Sequence, residues 1–371
     1  MEGYEPLKNL YNHTLAREYA IKILPYYPRF NSKAFEDEIK HGVDRLELKD
    51  RVNFFAQTLN EFLPDSYSEV IGIFLAILGP AYPYEVGIFK SGYWLLPMSR
   101  YVERYGLDHP DLSLRFIYEL TQRMTGEYAI RPFFEKYPEK VWPLLIEWTS
   151  DPSFHVRRLS SEGIRPRLPW AGRLTVFDRD PRPLFSLLYR LKDDPSQYVR
   201  NSVANNLNDL SKSHPELLIH ELKRWMDNAS PERKRLITHA LRTLLKDGNA
   251  IALSMMGYEK PNILLKGFEI SPLHLKIGER LKMDLEIFNN SGDEQLLVID
   301  YKIHFLRARD QYIPKVFRWK NTSIAPLKTM EWDKFHPFEK INTRDYYSGR
   351  HKIDLVINGQ EIASHWFTLT V

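Results

Sequence analysis

Glu127, Glu162 and Asp209 each stand among basic or amide residues at helical spacing: Arg123 and Arg131 around Glu127, Arg158 and Arg165 around Glu162, Asn201 and Asn205 before Asp209. On helices, residues three and four apart share a face, so each set predicts one polar stripe. The densest stretch is His155–Trp170, HVRRLSSEGIRPRLPW, which packs four arginines, one glutamate and one tryptophan into sixteen positions. Arg165 precedes Pro166, and a residue before proline favours extended backbone, so the helix is expected to end there. A second such step, Leu168-Pro169, presents Trp170 from a stiff segment. Carboxylates embedded in positive charge beside a large aromatic suit a polyanion that carries a planar group able to bear positive charge.

The elements that must position these residues follow from periodicity. Residues 1–258 read as helices: Val52, Ala56, Leu59 and Leu63 recur at helical spacing, as do Phe116, Leu120, Met124 and Tyr128. A repeat runs through this region. Asp151-Pro152-Ser153 with Val156-Arg157 returns 43 residues later as Asp194-Pro195-Ser196 with Val199-Arg200, and the helices before them, from Trp142 and Phe185, also correspond. A period near 40 residues with two helices per unit is the signature of a HEAT-like α-solenoid. Weaker copies lie at 111–134 and 228–245. The three carboxylates are 35 and 47 residues apart, close to one repeat each, so stacked repeats place them on one surface. Singly, each Arg/Glu set reads as a solvated ion pair worth a few tenths of a kcal/mol; in register with a repeat, the three point to one groove.

After Gly257 the pattern changes to alternation, as in Leu281, Met283, Leu285 and Ile287, broken by the turn signals Ser271-Pro272, Ser291-Gly292, Ser348-Gly349 and Asn358-Gly359. Six to eight short strands in residues 262–371 predict a C-terminal immunoglobulin-like β-sandwich. The chain is thus expected to be mainly α, with a helical domain over 1–258 and a β-domain over 262–371.

Composition bounds the rest. With 43% hydrophobic and 27% charged residues the 371-residue chain reads as soluble and globular, and the absence of cysteine excludes disulfides, thiolate metal sites and a Cys nucleophile. The polar, acidic opening Met1–Leu10 and a longest apolar run of only Val70–Leu78 lead us to expect a cytoplasmic protein without a membrane span. Between Ser150 and Arg200, ten Lys/Arg face six Asp/Glu, an excess equal to the +4 of the whole chain, which predicts a local basic face. The twelve histidines show no metal-ligand spacing, and no phosphate-cradling Gly-rich loop or GxSxG occurs, so neither metal nor cofactor is expected.

The runs HVRRLSSEGIRPRLPW, SVANNLNDL, EYAIRPF and LKNL resemble the AlkC-type DNA alkylation-repair glycosylases, relatives of the AlkD-type enzymes with HEAT-like repeats. The resemblance covers the helical part nearly end to end, without departure at these motifs, and is weaker in the β-domain. It implies base-excision repair: hydrolysis of the N-glycosidic bond of cationic N-alkylated bases (3-methylcytosine, 1-methyladenine, 3-methyladenine) without metal or cofactor. It further implies Glu162 and Asp209 as principal carboxylates, Glu127 and Trp170 lining the pocket, Arg158 on the DNA, and a C-terminal domain that helps grip it. The residue types suit this chemistry independently. A cationic base leaves without protonation, carboxylates stabilise an oxocarbenium-like sugar and orient water, an indole face attracts a cation, and arginines hold phosphates.

The partner expected is therefore double-stranded DNA with alkylated bases, bound by a monomer that is nucleoid-associated when on DNA. Contacts are expected from Arg157, Arg158, Arg165, Arg167 and Arg173, and in the β-domain from Lys315, Arg318 and Lys320 around Phe317 and Trp319. The competing reading is a non-catalytic HEAT scaffold for DNA or protein. Such a scaffold has no use for three carboxylates in a basic groove, because they repel phosphate. A sugar-active hydrolase would also use paired carboxylates, but the arginine density argues against neutral glycans.

Overall fold

Two Asp-Pro-Ser turns set the geometry of the helical region. In the computed structural model, which describes residues 6–341 and 344–371, they join helix Pro138–Trp148 to Phe154–Glu162 and Arg182–Leu191 to Gln197–Leu210. In each turn the aspartate accepts the backbone N–H of the serine two residues on, Asp151 from Ser153 at 2.7 Å and Asp194 from Ser196 at 2.8 Å. The motif arginine folds back on the same turn: Arg157 Nη1 donates to the carbonyls of Asp151 (2.9 Å) and Pro152 (3.1 Å), and Arg200 Nη1 to those of Asp194 and Pro195. The copies are also joined to each other, because Arg157 Nε and Nη2 clasp Asp194 at 2.6 and 3.0 Å. The repeated residues are thus a turn and a clamp between repeats.

The helical periodicity finds its partners. Helix Phe154–Glu162 packs on Gln197–Leu210, which packs in turn on Pro231–Ala240. Val199, Val203, Leu207 and Leu210 are fully buried, as are Phe116, Leu120 and Met124. Together these paired helices form the HEAT-like α-solenoid.

From Ile263 the described residues form eight strands: β1 (Ile263–Ser271), β2 (His274–Lys276), β3 (Arg280–Asn289), β4 (Gln295–Leu306), β5 (Tyr312–Ile324), β6 (Thr329–Pro337), β7 (Gly349–Ile357) and β8 (Gln360–Thr370). They make a three-stranded sheet, β1-β3-β6, and a five-stranded sheet, β2-β8-β7-β4-β5. Alternation in β3 sends Leu281, Met283, Leu285 and Ile287 into the core, where they meet Leu297, Ile299, Ile303, Ile353 and Leu355 of the larger sheet. Asn358 and Gly359, at φ 47° and 78°, form the tight β7–β8 hairpin, as Asn-Gly predicts.

Contacts divide the chain into two compact units, one reaching to His214 and including Ala229–Ala240, the other holding Pro215–Asn228 and Leu241–Val371. Helical residues after Ala240 therefore group with the sandwich. Gly248 and Gly359 explain part of this: their backbones touch, and a Cβ on Gly359 would lie 2.4 Å from the Gly248 carbonyl oxygen. Asn358 Nδ2 adds a bond to the Glu259 carbonyl at 2.8 Å.

Removing Asp194 leaves the Arg157 guanidinium without its buried partner. We predict that Asp194→Ala lowers stability by about 3 kcal/mol, read as a reduced urea midpoint of the full chain. Asp111, in an exposed pair with Lys140 at 2.7 Å, provides the contrast: Asp111→Ala should cost no more than about 1 kcal/mol.

Candidate active site

Glu127, Glu162 and Asp209 converge, but Glu127 stands on different backbone from that expected. The helix carrying Phe116 and Leu120 ends at Thr121, and Glu127 lies in the turn before helix Ile130–Lys136. The turn passes so close to the helix that a Cβ at Gly126 would lie 2.4 Å from Thr121 Oγ1. The stripe expected around Glu127 therefore does not form. Arg123 binds Glu119 (2.9 Å) and the Gly79 carbonyl (2.7 Å), while Arg131 binds the carbonyls of Gly163 (3.1 Å), Arg165 (2.9 Å) and Gly172. Glu127 takes its cation from another repeat, Arg158. Similarly, helix Phe154–Glu162 ends at Glu162 rather than running to Arg165, which reaches back from the loop. Asp209 lies on helix Gln197–Leu210 as its spacing implied.

The result is a row of alternating charge. Arg158 Nη1 lies 3.2 Å from Glu127 Oε2 and its Nη2 lies 3.6 Å from Glu162 Oε1. Arg165 Nη1 donates to the same Glu162 oxygen at 2.9 Å, and its Nε and Nη2 donate to the two oxygens of Asp209 at 3.1 and 3.3 Å. The Arg167 backbone N–H completes Asp209 at 3.2 Å. Glu127, Glu162 and Asp209 are only 7%, 5% and 4% exposed, so the row lies largely out of water. Two guanidiniums against three carboxylates leave one negative charge in excess, where low dielectric strengthens its action on a nearby cation.

Burial and charge set the protonation of the row. Burial raises the Glu127 carboxyl above its ordinary value; Arg158 opposes this, and the nearby Glu162 charge reinforces it. Burial also acts on Glu162, but Arg158 and Arg165 outweigh it and hold that carboxyl low. Asp209 is raised, burial exceeding what Arg165 and the Arg167 N–H return. One firmly ionised carboxylate is thus flanked by two that hold protons more readily.

Several supporting groups escaped the sequence reading. The Arg158 guanidinium lies over the Tyr198 ring, 4.5 Å from its centroid. Ser161 and Ser202 share a hydroxyl contact of 2.7 Å, and Asn206 Nδ2 donates to the Ser161 carbonyl at 3.0 Å. Ser202 and Asn206 keep the four-residue step of Asn201 and Asn205 but sit one position on, so the same spacing marks a neighbouring face. Tyr128, pushed up to about 12 by burial and then by the charges of Glu127 and Glu162, donates to the Pro169 carbonyl at 3.3 Å.

Trp170 is 71% exposed, at φ 67°, a left-handed backbone unusual for a bulky residue. The loop is held there by Lys49 on the Trp170 carbonyl (3.0 Å), by Tyr128 on Pro169 and by Arg131 on Gly172. Trp170 borders a cavity of about 440 Å³ whose lining includes Glu127, Tyr128, Arg131 and Arg100.

The arginines expected on DNA separate by partner. Arg157 clasps Asp194 away from the carboxylates, and Arg165 is buried between Glu162 and Asp209. Pulling either guanidinium out for a phosphate would strand a buried carboxylate at a cost of several kcal/mol. Arg158 is largely buried in the row. Arg173 is half exposed, paired with Asp178 at 2.8 Å, and Arg167 is partly exposed, with its buried Nε unpartnered. In the β-domain Arg318 binds Asp300 at 2.6 Å, while Lys315 and Lys320 lie over Phe317 and Trp332 at 5.4 and 5.6 Å. Trp319 is buried in the sandwich core. Among the described residues no group of three or more His, Asp or Glu is placed to hold a metal ion, and no helix is long and apolar enough to cross a membrane.

The fold and this row define a HEAT-like helical protein with a C-terminal Ig-like domain and a carboxylate–arginine centre. Residues 264–371 match the family model "Uncharacterised protein YhaZ, C-terminal Ig-like domain". YhaZ of Bacillus subtilis (strain 168) is 38% identical over 356 residues, 95% of this chain and 96% of that protein. The solved structure of Pseudomonas fluorescens alkylpurine DNA glycosylase AlkC, bound to DNA containing an abasic site analog, covers 99% of this chain and 100% of its own at 31% identity and a TM-score of 0.89. The chain belongs to the family that includes AlkC and YhaZ.

Two predictions follow from the geometry. Because Trp170 occupies left-handed backbone, Trp170→Gly should be more stable than Trp170→Ala by about 1 kcal/mol, measured by urea unfolding. Folded Glu127 keeps its proton to higher pH than the unfolded chain does, so raising pH through that window removes stability, and the loss is complete above the raised value. Glu127→Gln has no such loss. The stability difference should therefore shift against wild type as pH climbs out of the ordinary glutamate range and then flatten; a difference constant with pH would contradict the assignment.

Proposed function

We propose that the chain is a DNA glycosylase of base excision repair, removing cationic N-alkylated bases such as 3-methylcytosine, 1-methyladenine and 3-methyladenine from double-stranded DNA as a monomer. The observation that carries this reading is the nearly buried row of three carboxylates on two guanidiniums, with its single excess negative charge, beside an exposed indole. Full-length likeness to an alkylpurine glycosylase supports it.

In this reading the leaving base already bears positive charge, so the enzyme need not protonate it. Glu162, held ionised by its arginines, and Asp209 face the sugar as it becomes oxocarbenium-like, and one of them orients the attacking water. Glu127 tunes Arg158, and the Trp170 ring meets the cationic base or sugar. Arg167 and Arg173, the more exposed of the arginines, bind phosphates, with Arg158 at the lesion itself. Residues 1–258 carry the chemistry, while 262–371 assist DNA binding through Lys315, Arg318 and Lys320.

Asp209→Asn and Glu162→Gln should each slow single-turnover excision of a methylated base by roughly 10²-fold or more. DNA affinity followed by fluorescence anisotropy should hold or rise, since a charge that repels phosphate has gone. Trp170→Ala should lose less, about 0.5–2 kcal/mol of transition-state stabilisation. Near wild-type excision by both amide variants would move the chemistry elsewhere.

A further inference from the structure

The loop from Gly79 to Gly87 carries two of the more exposed apolar side chains, Tyr84 at 65% and Val86 at 79%. It is nonetheless fixed. Gly79 and Gly87 bound it at φ 74° and 85°, and Pro80 and Pro83 stiffen it. Tyr82 anchors its middle, the backbone N–H donating to the Gln122 carbonyl at 2.8 Å and its own carbonyl accepting from His155 Nε2 at 3.0 Å. The Tyr82 hydroxyl ties off the Val86 carbonyl at 2.8 Å, and Arg123 Nε holds the Gly79 carbonyl at 2.7 Å. Glu85 accepts the backbone N–H of Tyr198, the residue whose ring lies against Arg158, at 3.4 Å.

We propose that Tyr84 and Val86 are a wedge that enters the base stack beside the target nucleotide; the inference rests on the glycosylase reading. Glu162 and Asp209 are nearly buried, and enzymes acting on a base cannot reach their target atom inside an undisturbed duplex. Apolar side chains inserted between base steps unstack and kink DNA. A ring and a branched aliphatic on a pre-formed loop suit that task, and being fixed already they lose little freedom on insertion. They are far too small for a stable protein interface, which covers roughly 800 Å² on each partner. The loop is referenced by hydrogen bonds to the helices bearing Arg158 and Tyr198, so the opening is made in register with the carboxylates.

The test uses the full chain and two duplexes, each with 2-aminopurine next to the reporter site: one contains an abasic-site analogue, the other 1-methyladenine. Wild type should raise the 2-aminopurine signal on the abasic-analogue duplex, and Tyr84→Ser/Val86→Ser should lose most of that rise with unchanged thermal unfolding. Excision of 1-methyladenine by the double variant should fall roughly tenfold or more in a paired duplex and recover when the lesion faces a bulge, which is already unstacked. Tyr84→Leu/Val86→Leu should retain both signals. Opening and excision at wild-type levels in the serine variant would overturn the wedge. Equal loss on paired and bulged substrates would also overturn it, assigning the loop to support of the site. If wild type excises no methylated base, the glycosylase reading falls, while the 2-aminopurine signal still decides the wedge.

Discussion

Two buried guanidiniums, Arg158 and Arg165, are what allow three carboxylates to share one nearly water-free row. Three such anions without counter-charge would neutralise by taking up protons or would not be buried at all. Each arginine contacts two carboxylates, so the row is continuous, and each end of it belongs to a different helical pair. The stacking of repeats is therefore a condition of the charge pattern as well as of the hydrophobic core. The Arg157–Asp194 clamp fixes that stacking from the residue next to Arg158.

The same economy governs the basic residues. Many arginines of the segment 150–200 are turned inward, on carbonyls of their own turns or on carboxylates of the next repeat. A local excess of positive charge in sequence is thus partly internal wiring. Net charge alone does not tell a phosphate ligand from a clamp; the presence of an aspartate one repeat away does.

Much of the architecture was legible because it rests on periodicity. The DPSxxVR spacing, the buried face of Val199, Val203, Leu207 and Leu210, and the Asn358-Gly359 hairpin are local patterns with local causes. The gathering of Glu127, Glu162 and Asp209 was also legible, from their offsets of about one repeat. Their partners were not. Glu127 is three residues from Met124 but pairs with Arg158, and Arg165 leaves the helix before binding Asp209. Such choices are made across repeats after the helices stack, so neighbours in sequence are poor guides. The left-handed backbone at Trp170 was invisible for the same reason: Lys49, Tyr128 and Arg131 impose it from afar.

That loop also fixes an order of assembly. Lys49, Tyr128 and Arg131, which hold the carbonyls of Gly163, Arg165, Pro169, Trp170 and Gly172, all precede the loop in the chain, whereas Asp209, which accepts from the Arg165 side chain and the Arg167 N–H, follows it. During synthesis, which releases the chain N-terminus first, the Trp170 loop has its supports waiting when it emerges. The charge row does not. Until helix Gln197–Leu210 leaves the ribosome, Arg165 has one carboxylate partner and Arg158 lacks the Tyr198 ring. The nascent protein thus acquires its aromatic rim before its charge row is complete, and a chain arrested between the two is a shaped surface without the finished row.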